Sequence, residues 1–552
     1  MHQKVDFKSD ECRYVVEHYN HAVVHLRQQL SNGQFGLVFG AGIGKDLGFP
    51  KWKDLLERIA NHSEVSGQYI FDGSGSETSK AQFLFQHYKN RCIENAAEDD
   101  KKRNMLEMKV RAGWRNIVRT CLYQNLPSDL NDLLKKDRYL ESLVPLMKRS
   151  PLTVTYNFDD TLQKLLKKHS DEDERGSATY WSGNVQLLPR KGAVIYHPNG
   201  FLPSKASEKP SDQLVLLEDS FIDQVIDSSA GHYASLASHI SKTTCLFIGL
   251  SLDDPGLKHL LRQNAKAFPG QFHYFVRFVH DPSKVNRDIQ KVEAEANFDV
   301  YNLITLHLTA QQIRGLADLL AAKQTDFSAA AEELVDQHVF RYYLVGSVSA
   351  GKSTTASYFR SLLTQEEWAE ERAPGMEKAP DMLTREETEM IDAWVAKQVS
   401  IKNRKLLDGS KFGVHVIDRA PLDAFAFTLD DQSWKSKAAK LELEIRGDKA
   451  RRTIQSGQVI FLNGDPDVMA ERAVSLHKVT SAEKLGKQQH DLRLVYSGLI
   501  PSGSFTEIDT RGKTANEVVK LVAKLIFQTP YVAADLDARL IEFKENGRPK
   551  DE

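Results

Sequence analysis

Leu37-Val-Phe-Gly-Ala-Gly-Ile-Gly44 runs from an apolar strand pattern straight into glycines. Glycine lets a backbone approach a pyrophosphate and supplies φ > 0 where a side chain would clash. Lys45-Asp-Leu-Gly-Phe-Pro50 comes next, and a longer helix pattern starts only at Lys51-Trp-Lys-Asp-Leu-Leu56. A dehydrogenase GxGxxG would enter its helix at once; here the spacing is GxGxG with a proline loop behind it. Alone, the cluster also fits a tight strand–helix turn. Strand patterns recur at 152–156, 193–196, 213–217, 244–250, 271–279 and 303–308, many separated by helical patterns. That alternation predicts an open, mainly parallel α/β sheet. The polar, helix-patterned stretch 72–149 predicts a helical insertion.

Composition bounds what such a chain can be. At roughly 100–200 residues per domain, 552 residues make two to four domains. The 41% hydrophobic and 27% charged content is that of a globular protein with real cores. With 73 Lys+Arg against 75 Asp+Glu, the net charge of −2 argues against generic nucleic-acid binding. Cys12, Cys92, Cys121 and Cys245 lie far apart with no CxxC pair, which excludes a disulfide framework and argues against a cysteine-held zinc. The start lacks a signal-peptide apolar core, and no apolar run approaches the ~20 residues that cross a bilayer. A soluble, cytoplasmic protein is expected.

Three later segments bear on the glycine loop. Leu152-Thr-Val-Thr-Tyr-Asn-Phe-Asp-Asp160 is a β-rich run ending in polar groups, where ligands of an open α/β sheet gather. Ile195-Tyr-His-Pro-Asn-Gly-Phe-Leu202 is a strand ending in histidine and glycine, and Phe247-Ile-Gly-Leu-Ser-Leu-Asp-Asp-Pro255 opens into a helix start. Each also has a plainer role. Asn157 and Asp159 fit as helix caps, His197 as a satisfied core histidine, and Asp253 and Asp254 as first-turn helix acids.

In this order the segments resemble the sirtuins, and in particular the sirtuin-like NAD hydrolases of bacterial antiphage defence. The resemblance spans about residues 20–320 and rests on five elements. They are Gly40-Ala-Gly-Ile-Gly44, Gly48-Phe-Pro-Lys-Trp52, Thr155-Tyr-Asn-Phe-Asp159, the histidine–glycine strand and Gly249-Leu-Ser251. It implies an NAD domain of Rossmann type, with NAD+ as substrate. NAD contacts are then expected at Gly40, Ala41, Gly42, Ile43, Asn199, Gly249 and Ser251. Asn157 would position the nicotinamide ribose and the attacking water, His197 would be the base, and Asp159 would belong to the catalytic set. The chain departs from the family twice. It lacks the paired cysteines of the zinc-bearing deacylases, which favours the defence-type subgroup and no zinc. In most relatives the histidine directly precedes the glycine, whereas Asn199 stands before Gly200 here. His197 lies two residues earlier, on the same face if the strand continued, although Pro198 disturbs strand geometry.

A second glycine loop is more specific. Gly346-Ser-Val-Ser-Ala-Gly-Lys-Ser353 fits GxxxxGK[ST] in full, after the apolar strand pattern 340–345 and before a helix. Gly346, Ser349, Gly351 and Thr354 would offer the cradle, Lys352 would reach the outer phosphates, and Ser353 would hold Mg²⁺. Further on, Asp418-Arg419 ends a strand, Asp465-Pro466 precedes a helix with Arg472, and Arg493 lies in a later helix. Over about 340–528 this resembles the deoxynucleoside and thymidylate kinases. The resemblance implies Asp418 as base or Mg²⁺ contact, Arg419 on the substrate side, and Arg472 and Arg493 on phosphate when a lid closes. The two lid arginines fit equally well as solvated helix residues. The lid, 473–486, lacks a second arginine soon after Arg472, which suits a nucleotide sensor better than an efficient kinase.

The expected organisation is therefore an NAD domain over 1–325, a linker at 326–339, a kinase-like domain over 340–528 and a tail at 529–552. The joint expectation is an NAD+ hydrolase acting in abortive infection, governed by a nucleoside triphosphate or deoxynucleotide with Mg²⁺ at the second loop. Partners expected by resemblance are small nucleotides, further copies of the chain, and a viral protein or nucleotide as trigger. The alternatives are a nucleotide kinase regulated by a dinucleotide, or a protein ADP-ribosyltransferase or deacylase.

Overall fold

The computed structural model describes residues 6–96, 103–170, 178–180, 193–211, 214–229, 234–252, 254–328, 338–371, 383–408, 412–427, 433–447, 452–475 and 480–550. They form two compact units. Unit 1 is Met1–Tyr19, Gln29–Ala267 and Phe272–Leu334; unit 2 is Asn20–Gln28, Phe268–Gln271 and Val335–Glu552. Most of the expected linker lies outside the described residues.

Unit 1 is built on a seven-stranded, all-parallel sheet. Its strands are β1 (Phe35–Phe39), β2 (Thr153–Thr155), β3 (Ala178–Tyr180), β4 (Val194–Tyr196), β5 (Thr244–Ile248), β6 (His273–Phe278) and β7 (Leu303–Leu308), in the order β3-β4-β2-β1-β5-β6-β7. Parallel sheets are covered on both faces, so central strands read as unbroken apolar runs. β1 (FGLVF) and β5 (TCLFI) are accordingly buried at every position. β1 pairs with β2 on one side and β5 on the other, Val38 lying opposite both Val154 and Phe247. The order reverses there, and the crevice beyond the strands' carboxyl ends at such a point is where ligands of open α/β sheets bind.

One strand expectation needed correcting, and one strand of this sheet was missed. No strand forms within 214–217; those residues run as a turn whose Val215 N–H donates to Asn199 O at 2.8 Å, while Gln213 lies outside the described residues. β3 was not anticipated, because three residues at a sheet edge carry too little periodicity. Directly after β1, Gly42–Lys45 also forms one helical turn before the proline loop.

Between β1 and β2 the chain is helical, chiefly Trp52–Ala60, Glu77–Glu94 and Arg103–Tyr123. These helices share a core with two site loops: Leu55, Leu84, Trp114 and Val118 pack in one cluster with Phe158, after β2, and Leu202, after β4. Burying those apolar groups in common fixes the loops relative to the insertion, at ~1.5–3 kcal/mol for each large side chain.

Unit 2 carries a five-stranded parallel sheet in the order β12-β11-β8-β10-β9. The strands are β8 (Val339–Val345), β9 (Leu363–Gln365), β10 (Gly413–Asp418), β11 (Gln458–Asn463) and β12 (Phe505–Asp509). Trp434, Tyr343, Tyr496 and Phe543 anchor its core. Phe543 belongs to the helix Leu536–Asn546, which packs with Ala534 and Leu540 into that core. The segment after residue 528 is thus integral to the unit and no tail. Residues 20–28 also belong here: the His25 ring donates to Ser361 O at 3.0 Å, and Gln28 Oε1 accepts from Val414 N at 2.9 Å. A boundary drawn along the sequence misses such an N-terminal contribution. The four cysteines are free thiols, and among the described residues no helix is long and apolar enough to cross a membrane.

Candidate functional site

In unit 1 the loops after β1, β2, β4 and β5 meet at the carboxyl edge of the sheet. The glycines there serve first to let two loops touch. Gly40 N donates to Ile248 O at 3.0 Å and Gly42 N to Gly249 O at 2.8 Å. A Cβ on Gly42 would lie 2.8 Å from Gly249 Cα, and one on Gly249, whose φ is +74°, would lie 2.7 Å from Ile43 N. Only glycine satisfies both constraints. Ala41 and Gly42 are exposed on this lip, Ser251 likewise, while the Ile43 side chain is buried and offers the crevice only backbone.

Asn157 stands half-buried two residues beyond β2. Its side-chain amide donates to Gly40 O at 3.2 Å and its own N–H to Thr155 Oγ1 at 3.2 Å. The expected pairing of Asn157 with the glycine loop is therefore present in space. Asp159 is turned away: it is buried, accepts from Thr161 N at 3.0 Å, and burial raises its carboxyl above the usual range. Behind it, Asp160 accepts from Ser204 N at 2.9 Å and Lys164 Nζ at 3.1 Å. Tyr123, from the insertion, donates its hydroxyl toward Leu202 O at 2.9 Å and Asp160 Oδ1 at 3.2 Å and accepts from Asp160 N at 3.1 Å.

His197 does not sit in the crevice as an available base. Its ring is fully buried, with Nδ1 2.8 Å from Asn157 O and Nε2 2.7 Å from Gln163 Nε2. A carbonyl only accepts, so Nδ1 carries the proton and the Nε2 lone pair receives Gln163. Burial pushes the ring down to about 4, so it is neutral at pH 7 and both nitrogens are occupied. The strand argument for residues 197 and 199 fails for a visible reason. Gly200 N donates to His197 O at 3.1 Å and Gly200 has φ +103°, so 197–200 is a turn that sends the two side chains to different surroundings. Asn199 bridges the loops: its amide donates to Tyr156 O at 3.4 Å and hydrogen-bonds the Asp254 carboxylate. Gln163, Tyr123 and Asp254 were not anticipated as parts of this region; Asp254 carried only the signal of a helix-start acid.

Against this geometry, comparison with known families is informative. Residues 151–301 match the family model of a SIR2-like domain. The SIR2-like segment contains Asn157, His197, Asn199, Gly249 and Asp254, together with β2, β4, β5 and β6. The glycine loop at 40–44 precedes it in sequence but joins the same sheet through β1. SIR2-like domains bind NAD+, and the match is compatible with an NAD-related role for this unit. No curated protein matches the chain.

Unit 2 places its own glycine loop between β8 and the helix Lys352–Tyr358. Ser349 (φ +63°) and Gly351 (φ +91°) turn the loop, and a Cβ on Gly346 would lie 2.9 Å from Leu462 O. Lys352 is folded onto its own loop, donating to Gly346 O and Ser347 O at 2.9 Å each; burial lowers it to about 8. Ser353 hydrogen-bonds Asp418, whose second oxygen is buried without a hydrogen-bond partner. Those two residues suit a cation shared with a nucleotide. Among the described residues no cluster of three or more His, Cys, Asp or Glu could hold a metal alone. Thr354 is exposed on the first helical turn.

Asp418 and Arg419, both expected from the sequence, lie in a charged group whose other members, Glu367, Lys402 and Asp423, were not. Arg419, at φ +68°, bonds Glu367 at 2.5 Å and reaches Asp423 at 3.6 Å. Lys402 donates to Asp418 O at 2.7 Å and Glu367 O at 3.3 Å, and burial lowers it to about 8. Burial also lifts Asp423 to about 6, even with Arg419 opposing it, and Tyr496 donates to its Oδ1 at 2.7 Å. Arg493 is committed elsewhere, in a two-pronged pair with Glu507 at 2.9 and 2.8 Å. Arg472 is exposed, and residues 476–479 of the expected lid lie outside the described residues.

Proposed function

We propose that unit 1 binds NAD+ and cleaves its nicotinamide–ribose bond, releasing nicotinamide and ADP-ribose. The observation that carries this is the Asn157 amide, 3.2 Å from Gly40 O, in the crevice of a SIR2-like segment. Cleavage passes through an oxocarbenium-like state, which needs a polar group placing ribose and water more than it needs a strong nucleophile. The exposed lip of Ala41, Gly42 and Ser251 would receive the dinucleotide.

In this proposal unit 2 binds a nucleoside triphosphate or deoxynucleotide, with Ser353 and Asp418 placed to hold Mg²⁺ and Lys352 leaving its loop carbonyls for phosphate. Occupancy would act as a regulatory signal only if the nucleotide binds the active and inactive states unequally. An effector of antiviral abortive infection, working as a homo-oligomer, accords with this pairing. The absence of a second lid arginine after Arg472 and the engagement of Arg493 with Glu507 favour a sensor over an efficient kinase. A second reading has its own support: the sealed His197 and the non-basic Asn199 suit a unit that binds NAD+ without cleaving it.

The test follows NAD+, nicotinamide and ADP-ribose together, using purified full-length protein and a nucleotide panel. Asn157→Ala should abolish product formation, and Lys352→Ala should abolish its dependence on nucleotide. Full activity in Asn157→Ala would remove the site assignment. Equal NAD+ loss with and without Lys352 would remove the sensor. NAD+ binding without product in every condition would select the second reading.

A further inference from the structure

Cleavage by water leaves a proton to be disposed of, and the two residues nearest the expected base position do not take it. Asn199 has no basic atom, and the His197 Nε2 lone pair is directed at Gln163. We propose that Asp254 is the general base of unit 1, held in place by Asn199. The inference rests on the NAD+-cleaving reading above.

Three features place Asp254 in that role. It lies on the β5 loop, five residues beyond Gly249, on the side of the crevice opposite the β2 and β4 loops. Its carboxylate is fixed by the start of the helix Pro255–Ala267, accepting from Leu257 N at 2.7 Å. Asn199 then ties it across the crevice, since the same side chain reaches Asp254 and Tyr156 O, next to Asn157. The group is half-buried, and burial raises it above an ordinary aspartate, making it a better proton acceptor. In the step itself, water oxygen bonds the ribose C1′ as the C1′–N bond breaks. The bonding pair leaves with nicotinamide, and the water proton passes to the Asp254 carboxylate and then to solvent. Asn199 is a positioning residue in this scheme, and His197 holds Asn157 from behind.

Asp254→Asn is the informative change, because asparagine caps a helix as well as aspartate does and keeps a partner for Asn199. Wild type and Asp254→Asn are compared for carba-NAD+ binding, thermal unfolding and nicotinamide release; Asp254→Ala is assayed with and without formate. The expected result is unchanged binding and unfolding in Asp254→Asn, with release lowered about 100-fold or more. Formate should restore part of the release in Asp254→Ala. Release in Asp254→Asn within about threefold of wild type, or a loss explained by weaker binding, overturns the assignment. Absence of nicotinamide release from the wild type in all conditions overturns the parent reading instead, and the assignment with it.

Discussion

Acidification should unfold unit 1 well above the range where ordinary carboxylates titrate. His197 and His239 are held down to about 4 and His273 to about 3, in each case chiefly by burial. Their folded values lie below the ordinary 6.5, so below about pH 6.5 the unfolded chain takes up protons that the folded unit refuses. Stability is therefore complete above that pH and is lost as the pH falls toward 4. At pH 5.5 an unfolded histidine is about ten-elevenths protonated and the buried ring almost not at all. That costs about 1.4 kcal/mol per ring, or about 4 kcal/mol for three. The slope near pH 5.25 approaches ~4 kcal/mol per pH unit, against a typical total of about 5–15 kcal/mol. Asp159 and Asp254, both raised by burial, work in the opposite sense but only nearer the carboxylate range.

Hydrogen exchange of peptides covering β5 and β6 reads unit 1 alone, after correction for the intrinsic pH dependence of exchange. His239→Leu supplies an internal control. Its Nε2 is buried without a hydrogen-bond partner, and it packs so closely on β1 that a Cβ at Gly36 would be 2.6 Å away. The variant should lose about one proton from the linkage and flatten the slope by about a third. A wild-type slope below about 1.4 kcal/mol per pH unit, one proton's worth, would refute the assignment of three neutral buried rings.

Gly249→Ala combines a left-handed φ with a Cβ 2.7 Å from Ile43 N, so it should cost about 2–4 kcal/mol in urea unfolding and weaken carba-NAD+ binding. Tyr123→Phe keeps the volume but strands Asp160 and Leu202 O; a loss of about 1–3 kcal/mol by thermal unfolding is expected, with little change in NAD+ binding. Lys352→Ala should lower the affinity of unit 2 for a fluorescent ATP analogue at least about tenfold. In the wild type that affinity should fall as pH rises through about 8, because phosphate needs the ammonium form. Asn199→Ala removes the amide that ties Asp254 to Tyr156 O, and nicotinamide release should fall.

Much of the architecture was visible in the sequence because central parallel strands leave an apolar signature: β1 and β5 stand out as runs buried at every position. β3 and β9, three residues apiece, leave none. The site was legible where chemistry depends on residue type at fixed spacing. Gly40, Gly42 and Gly249 do meet, and Lys352 and Ser353 do open a helix after a strand. It was illegible where partners come from distant segments. Nothing near Arg419 announces that Glu367 pairs with it, since that contact arises only when β9 and β10 are brought side by side.

The segment His197-Pro-Asn-Gly200 shows why residue type alone is insufficient. A histidine beside a glycine suggests a base, yet an imidazole acts as one only if a lone pair faces the reacting water. At pH 7 the ring has one lone pair and one N–H, and here the surroundings consume both: Asn157 O takes the N–H and Gln163 supplies the donor. Gln163 lies on the helix Thr161–Lys168, which follows the β2 loop, so the ring clamps the start of that helix to the carbonyl of Asn157. The same turn at Gly200 leaves Asn199 pointing to the carboxylate of the β5 loop. On the cleaving reading proposed above, the base for this crevice comes from across the sheet's reversal point, from Asp254, and not from the strand that bears the histidine.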